Sequence, residues 1–233
     1  MKKLDLIKVA FLVCFLFVCS TCENDQPSNA QLIIEEDIPV TDYDGNIYKT
    51  VRIGNQIWMA ENLRTTHYSD GTPAISFIYN YEDTNVYKYG RLYYWTVAMR
   101  NHHSSNSNPS GVQGVSPDGW HIPSENEWLE LINNLGGPSV AGGKLKSPDT
   151  EGLSYNNLTD SGESLFNALL GGFYRQDGQF LRLGEWGIFL TSTSCQTINY
   201  DGIRVIKLSN NSQGVQIEPF ELNDAGAIRC VKN

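Results

Sequence analysis

Residues 119–128, with the sequence GWHIPSENEW, constrain the fold more than any other part of the chain. Ser124 and Glu127 have the spacing of a capping box, in which a hydroxyl accepts from the first turn of a helix and a carboxylate reaches back to the cap residue. Apolar residues then recur at helical spacing until the breaker GGP at 136–138. The sequence therefore predicts a short amphipathic helix over 125–135.

Two tryptophans, Trp120 and Trp128, frame the start of this helix. Large aromatic side chains dominate core burial, so a core role is favoured over a ligand role for both. We apply the same argument to the tryptophans of two motifs earlier in the chain. The residues expected to be structural are Trp58, Trp95, Trp120, Ser124, Glu127 and Trp128.

The N-terminus has the pattern of a secretion signal. Lys2 and Lys3 precede an apolar run over residues 6–18, which is too short to span a bilayer comfortably. The run ends in CSTC at 19–22 and then becomes polar, which resembles a bacterial lipoprotein signal. The resemblance implies a signal peptide over residues 1–21 and a lipid on Cys22, with Cys19 as the alternative.

A lipidated cysteine would place the rest of the chain in the cell envelope. Several acyl chains, each stabilised by about 0.8 kcal/mol per buried methylene, anchor a protein firmly without a spanning helix. We interpret residues 22–37, which are polar and then acidic, as the lipidated cysteine and a flexible tether. The expected product is an outer-membrane lipoprotein with one domain over residues 38–233, in the periplasm or exposed at the cell surface.

The charge of the chain argues against one class of partner. The formal net charge is −9, and residues 1–21 contribute +2 from three lysines and one aspartate, which leaves −11 on the rest. Contacts to nucleic-acid phosphates need clustered lysine and arginine, and the sequence has no basic stripe. We expect no nucleic acid among the partners.

Turn signals divide the domain into short strands. Asp44-Gly45 between alternating residues predicts a hairpin. Apolar residues on one face predict a second helix over 163–170, and the polar stretch 101–118 predicts an exposed loop. The fold class is therefore α+β, with strands expected at 47–53, 56–59, 187–193, 202–208, 214–218 and 226–231.

A series of short blocks extends from residue 44 to residue 231. The first is DGNIYKTVRIGNQIWMAENL at 44–63, and the others are YGRLYYW at 89–95, GWHIPS at 119–124, AGGKLKS at 141–147, FNAL at 166–169, GGFYR at 171–175 and IRCV at 228–231. In this order they resemble the Fibrobacter succinogenes major paralogous domain, and the resemblance covers residues 40–233.

The resemblance implies a C-type-lectin-like fold related to the formylglycine-generating enzymes. Such folds pack two short helices on small twisted antiparallel sheets, and long loops carry the ligand surface. The family commonly has Cys-Pro before Gly-Trp-His, whereas this chain has Ser116-Pro117-Asp118. If the family's cysteine pairs with the one near the C-terminus, Cys195 is the candidate partner left for Cys230. Two free thiols are the alternative.

Aromatic and polar residues of the later loops are the candidates for ligand binding. The dense aromatic segment 79–95 suits either sugar stacking or the core side of strands, and the core is favoured. Two later loops combine large aromatics with amide, guanidinium and acid groups, which suit a glycan or a peptide. By fold analogy, the candidate ligand residues are Tyr174, Arg175, Trp186, Asn199, Tyr200 and Asp201.

No motif in the sequence carries recognisable catalytic chemistry. His102-His103 has no further ligand at a metal-binding spacing, and residues 42–46 match only the start of a calcium loop. The cysteine arrangement of the formylglycine-generating enzymes does not occur. We expect no catalytic residue, metal or cofactor. The leading hypothesis is a non-catalytic, lectin-like module that binds a glycan or protein; the alternatives are a structural subunit of an envelope complex and an oxidative enzyme.

Overall fold

The computed structural model describes residues 32–148, 162–197 and 200–233, with the side chains of 197 and 200 left out of the description. The expected signal peptide and Cys22 lie outside these residues, so the lipidation site stays a prediction. Within the described residues, no helix has the length and apolar character needed to cross a membrane.

The described part of the chain consists mainly of strands, with a few short helices. A single turn covers Tyr79–Tyr81, with left-handed backbone at its second and third residues. The α-helices are α1 Thr84–Tyr89, α2 Trp95–Ala98, α3 Glu125–Asn134 and α4 Ala141–Leu145. The strands are β1 Ile34–Thr41, β2 Ile47–Ile53, β3 Gln56–Met59, β4 Tyr93–Tyr94, β5 Trp120–His121, β6 Gly171–Tyr174, β7 Phe180–Leu183, β8 Trp186–Thr197, β9 Tyr200–Ser209, β10 Gln216–Glu221, β11 Ala225–Gly226 and β12 Val231–Lys232.

The first sheet joins the two ends of the described chain. Its strand order is β1-β2-β3-β12-β5, and all of its pairs are antiparallel. The predicted turn at Asp44-Gly45 connects β1 to β2. The tether was predicted too long, because β1 begins at Ile34 and pairs with β2 over residues assigned to the tether. The exposed acidic residues of β1 resemble a linker, but an edge strand tolerates such residues.

The second sheet carries the later strands. Its order is β10-β9-β8-β6-β11-β4, with β7 paired to β6, and only the β6–β8 pair is parallel. The predicted strands at 187–193, 202–208 and 214–218 correspond to β8, β9 and β10. The mixed α+β class is confirmed, with sheets predominating.

Helix α3 begins as the capping box predicts. Ser124 Oγ accepts from the Glu127 backbone N–H at 3.2 Å, and Glu127 Oε2 accepts from the Ser124 N–H at 2.9 Å. The other carboxylate oxygen of Glu127 lies 2.5 Å from His121 Nε2, and both side chains are buried. Burial lowers the pKa of His121, but the hydrogen bond to Glu127 outweighs it, so the pKa is raised above 6.5. The helix start is therefore tied to β5.

The tryptophans expected to be structural lie in or beside the core. The ring centroids of Trp58 and Trp128 are 4.7 Å apart, and both side chains are fully buried with Phe166 and Phe189 around them. The Trp128 indole N–H has no hydrogen-bond partner among the described residues, so this side chain acts by packing alone. Trp120 is buried in a second cluster, and the half-buried Trp95 packs against it.

The predicted helix over 163–170 is wrong. Leu165 and Asn167 have φ values of 57° and 52°, which a right-handed helix excludes, and Phe166 between them points into the core. The helix that packs beside α3 is α4 instead, in a glycine-rich stretch. At Gly142 of α4, a Cβ would come within 2.3 Å of the Gly214 carbonyl oxygen, so only glycine permits this approach.

The loop over 101–118 is exposed only in its first half. Residues 101–109 are mostly exposed, whereas most of 110–117 is buried. Val112 and Val115 belong to the second core cluster, and Ser110 donates through Oγ to the Ile122 carbonyl oxygen at 2.5 Å. Two valines among polar residues were too weak a signal to predict this burial.

Candidate functional site

The candidate ligand residues do not form one surface. Tyr174 ends β6 and Arg175 begins the turn to β7, whereas Trp186 begins β8. The third group of candidates, residues 199–201, comes after the C-terminal end of β8 in the chain. Because a strand rises about 3.3 Å per residue, the length of β8, which is interrupted by a bulge between Leu190 and Ser194, separates Trp186 from that group by up to about 36 Å.

The third group belongs to the hairpin between β8 and β9. Asn199 lies outside the described residues, and of Tyr200 only the backbone is described. Asp201 is exposed and accepts from Gln196 Nε2 across the hairpin at 3.3 Å. A ligand role for this hairpin stays a prediction, and it is remote from the other candidates.

Trp186 packs against the sheet. Its ring stacks on Phe173 with the planes 9° apart, and the cations of Arg182 and Lys207 lie 4.7 Å and 4.2 Å from its centroid. Phe173 precedes Tyr174 on β6, and successive side chains of a strand point to opposite faces. Trp186 and Tyr174 therefore lie on opposite faces of the second sheet.

A row of residues across four strands positions the best candidate site. Tyr94 of β4 pairs with Ala225 of β11, Ala225 pairs with Tyr174 of β6, and Tyr174 pairs with Phe180 of β7. Directly paired residues point to the same face of a sheet. The register therefore places three aromatic rings on one face, with the small Ala225 between two of them.

Two further rings complete this surface. Phe77 stacks on Tyr174 with centroids 4.1 Å apart and meets Tyr94 edge-on at 5.1 Å. Tyr81 meets Phe180 edge-on at 5.0 Å and is 69% exposed. The other four rings are half-buried. We call Phe77, Tyr81, Tyr94, Tyr174 and Phe180 the aromatic surface.

Tyr81 is held in place by an unusual backbone. Asn80 and Tyr81 have φ values of 54° and 57°, in the left-handed region that a bulky residue rarely adopts. Such conformations cost about 1–3 kcal/mol each and cluster at functional sites. A hydrogen bond with Tyr81 also raises the pKa of the Tyr174 hydroxyl. The strained backbone therefore costs some stability while it places the exposed ring of Tyr81 on the aromatic surface.

A polar cleft adjoins the aromatic surface. It has a volume of about 400 Å³ and is lined by Tyr94, Thr96, Gln176, Leu222 and Asn223. The backbone N–H of Gln176 donates at 2.9 Å to Asp224, whose pKa is raised by burial. The cleft, which we call the amide cleft, presents hydroxyl and amide groups beside the aromatic rings.

Arg175 is occupied by an ion pair within its own turn. Its Nε donates to Asp177 Oδ2 at 2.9 Å, and one of its terminal nitrogens also contacts that carboxylate. Hydrogen bonding to Asp177 raises the pKa of Arg175, and the same bond lowers the pKa of Asp177. Arg175 therefore shapes the turn beside the amide cleft, and its charge is partly balanced there.

Sequence reasoning found only part of this site. The segment 79–95 is divided, with Tyr79, Tyr89 and Tyr93 buried and Tyr81 and Tyr87 exposed. Phe77 and Phe180 were not singled out, because neither stands in a dense aromatic run. Their place in the site depends on strand register, for which the sequence offers no local signal.

The two cysteines of the domain are free thiols. Cys195 is half-buried on β8, whereas Cys230 is fully buried in the second core cluster. The disulfide bond considered from the sequence is therefore not formed, and the alternative of two free thiols is correct. Burial raises the pKa of Cys230 to about 12, against an opposing effect of the nearby Ser116 hydroxyl. Among the described residues, the Ser116 hydroxyl has no hydrogen bond of good geometry. It stands at the position where the family commonly has a cysteine.

The described residues contain no group of three or more His, Cys, Asp or Glu side chains that could hold a metal ion. His102 and His103 are exposed on their loop, and Asp42 and Asp44 bind neighbouring protein groups. Hydrogen bonds from Thr66, His67 and Thr65 outweigh the effect of burial and lower the pKa of Asp44 to about 2. Asp44 therefore has a structural role in a turn.

The fold and site define a class of protein: a small α+β domain of mainly antiparallel sheets, with one exposed and four half-buried aromatic rings beside a polar cleft. The chain belongs to the Fibrobacter succinogenes major domain family, whose model matches residues 51–232. Neither the search of curated proteins nor the search of solved structures found a match.

Proposed function

We propose that this chain is a lipid-anchored protein of the cell envelope whose C-type-lectin-like domain binds a glycan without transforming it. The aromatic surface is the observation that carries the proposal. Five rings from separate segments meet on one face, and the most exposed of them is held by a strained backbone. Four of the rings pack against the core from the edge of the sheet, whereas the exposed ring of Tyr81 adds nothing to the core and remains open to a ligand.

The chemistry of the surface suits a sugar better than other polar ligands. The C–H faces of a pyranose pack on aromatic rings, and its hydroxyl groups need neutral donors and acceptors close by. Tyr81 and Tyr174 supply rings with hydroxyl groups, while Gln176 and Asn223 supply amides in the adjoining cleft. The rings and the amide cleft together favour a neutral saccharide unit.

The anchor is supported by the sequence and by where the fold begins. The described domain starts at Leu32, ten residues after Cys22. Since a fully extended chain spans about 3.5 Å per residue, the domain would lie within about 35 Å of the membrane. The lipid would thus hold the binding surface close to the outer membrane.

An assembly role has less support from the exposed strands. The longer outer strand of each sheet carries charge and a proline, namely Glu35, Glu36 and Pro39 on β1 and Glu218 and Pro219 on β10. Charged side chains and prolines prevent edge strands from pairing with another chain. These edges are built to avoid association by strand pairing.

A glycan array probed with the full chain in detergent tests the binding proposal. We expect binding to one structural group of neutral oligosaccharides. In the Tyr81→Ala variant the affinity for the best glycan falls about tenfold, because stacking on an exposed ring is lost. Tyr43→Ala is the matched control, since Tyr43 is also exposed but lies outside the aromatic surface. Equal losses in the two variants, or no binding by folded protein, would refute the proposal.

Membrane fractionation tests the anchor separately. Cys22→Ser should move the protein from the membrane to the soluble fraction and abolish incorporation of labelled fatty acid, whereas Cys19→Ser should change neither. Label retained by the Cys22→Ser variant would disprove lipidation at this residue. Protease treatment of intact cells then shows whether the domain faces the medium.

A further inference from the structure

A second cleft lies where β2 and β3 meet the end of α1. Its volume is about 430 Å³, and its described lining includes Lys49, Glu61, Arg64, Tyr87 and Arg229. It shares no lining residue with the aromatic surface or the amide cleft. We call it the basic groove.

The charge of the basic groove is opposite to that of the chain. Among the described residues, Lys49, Arg64 and Arg229 line it with a single carboxylate, Glu61, whereas the chain as a whole carries −9. A cleft lined by one sign of charge concentrates the electric field and attracts ions of the other sign. An anion would therefore be attracted to this groove from solution, although the rest of the surface repels it.

Glu61 cannot balance these cations alone. One of its oxygens lies 3.7 Å from a terminal nitrogen of Arg64, and the other accepts from the backbone N–H of Lys49 at 2.8 Å. The Lys49 ammonium group itself forms no ion pair with any described residue and is exposed. The described lining of the groove therefore keeps an excess of positive charge, which an anionic ligand could neutralise.

Arg229 is a buried cation whose hydrogen-bond partners are all neutral. Its Nε donates to Asn62 Oδ1 at 2.7 Å, and its terminal nitrogens donate to the carbonyl oxygens of Met59, Phe166 and Asn167. A guanidinium carries five N–H donors, so one donor has no partner among the described residues. Burial lowers the pKa of Arg229 to about 9, against the opposing effect of Glu61. A bound anion would add a second negative charge near Arg229, beside that of Glu61.

An exposed aromatic ring stands beside these cations. Tyr87 of α1 is 84% exposed and lines the basic groove at its edge. Arg64 is fixed by its contact with the Tyr48 ring, at 4.5 Å from the centroid, and by donating to the Ile47 carbonyl oxygen at 2.7 Å. The groove thus combines pre-positioned positive charge with an aromatic face, which matches a ligand that has a carboxylate and a flat array of C–H groups.

We propose that the basic groove binds a uronic acid residue of an acidic glycan. Its carboxylate lies against Lys49 and Arg64, within the field of the buried Arg229 cation, and one face of its sugar ring packs on Tyr87. This site is separate from the aromatic surface and does not depend on the neutral glycan proposed to bind there.

Calorimetric titration of the full chain in detergent with a galacturonic acid trisaccharide tests this proposal. At low salt the acid should bind at least about tenfold more tightly than its methyl ester, and the affinity should fall as salt screens the charges. Lys49→Gln and Tyr87→Ala should each weaken binding by about three- to tenfold. Lys232→Gln is the matched control, since Lys232 is also an exposed lysine of the first sheet, and it should bind like the wild type.

Three results would overturn the proposal: no binding of the acid at millimolar concentration, equal binding of acid and ester, or an equal loss in the Lys232→Gln control. A triglutamate peptide provides a further arm, and binding as tight as that of the trisaccharide would show that the ligand is not specifically a sugar. Tyr81→Ala should leave the titration unchanged. Failure here is therefore distinct from failure of the neutral-glycan proposal.

Discussion

The start of helix α3 and the aromatic surface are built in opposite ways. At the helix start, Ser124, Glu127 and His121 lie within six residues of one another and satisfy one another's hydrogen bonds in a buried setting. The aromatic surface joins β4, β6 and β7 with the segment around Phe77, so its members are far apart in sequence. The difference separates a buried, locally determined contact from a partly exposed surface that only the tertiary fold assembles.

The largest effect should come from removing the central tryptophan. Trp128→Ala leaves a cavity among Trp58, Phe166 and Phe189 and should lower the free energy of unfolding by about 3–5 kcal/mol. Urea denaturation measures this. Trp186→Ala is the control and should cost far less, because Trp186 is half-buried at the start of β8. Equal losses of stability in the two variants would contradict the conclusion that Trp128 lies at the centre of the core and Trp186 at its margin.

A new disulfide should stabilise the same buried region. Ser116→Cys places a second thiol beside Cys230, and the resulting bond would close a loop of more than 100 residues. Bonds closing long loops typically add about 2–4 kcal/mol to the free energy of unfolding. Mass spectrometry of the oxidised protein counts the thiols, and denaturation measures the gain. In a Ser116→Cys, Cys230→Ser double variant no gain is expected. The bonded single variant should retain one domain thiol, that of Cys195, and three domain thiols after oxidation would show that residues 116 and 230 are not close enough.

The buried ion pair at the helix start should make stability depend on pH. The pKa of His121 is raised in the folded protein, so folding favours the protonated imidazole. Its contribution to stability is complete below about pH 6.5 and is lost as the pH rises through the folded pKa. Glu127→Gln should remove this slope and lower the free energy of unfolding by about 2–4 kcal/mol.

Glu125→Gln is the control for this pH dependence. Glu125 lies in the same helical turn but pairs with Arg204 rather than His121. Denaturation curves for the wild type and the two variants between pH 5 and pH 9 make the comparison. A wild type with no loss of stability across this range, or a Glu125→Gln variant as flat as Glu127→Gln, would count against the proposed pair.

These contrasts explain what the sequence could predict. The capping box and the Asp44-Gly45 hairpin are local, since their partners lie a few residues apart, and both were predicted correctly. The helix over 163–170 failed because apolar spacing does not report the left-handed backbone at Leu165 and Asn167. Strand β1 was mistaken for tether because its acidic residues face solvent at a sheet edge.

The candidate site was less predictable than the fold. Tyr174 was recognised from its place beside a turn, but Phe77 and Phe180 join it only through the register of β4, β11, β6 and β7. A register error of one residue would turn each ring to the opposite face. The sequence groups Trp186 with Tyr174 because both flank the same turn. In the structure, the alternation of side chains along β6 places the two rings on opposite faces of the sheet.

The smallest effect on stability should come from the aromatic surface. In Tyr81→Gly, the lost ring contact with Phe180 and the relieved left-handed strain oppose each other, so the free energy of unfolding should change by less than about 1 kcal/mol. Glycan affinity should nevertheless fall about tenfold. A loss of stability as large as that of Trp128→Ala would place Tyr81 among the residues that hold the fold together.

The most direct measurement is an NMR titration of protein labelled with ¹³C in its tyrosine and phenylalanine rings, using the glycan selected by the array. Ring signals of Tyr81, Tyr94, Tyr174 and Phe180 should shift together and saturate, while the signal of Tyr43, which is exposed outside the aromatic surface, stays in place. Shifts confined to rings elsewhere in the molecule, with the aromatic surface silent at saturation, would contradict the account.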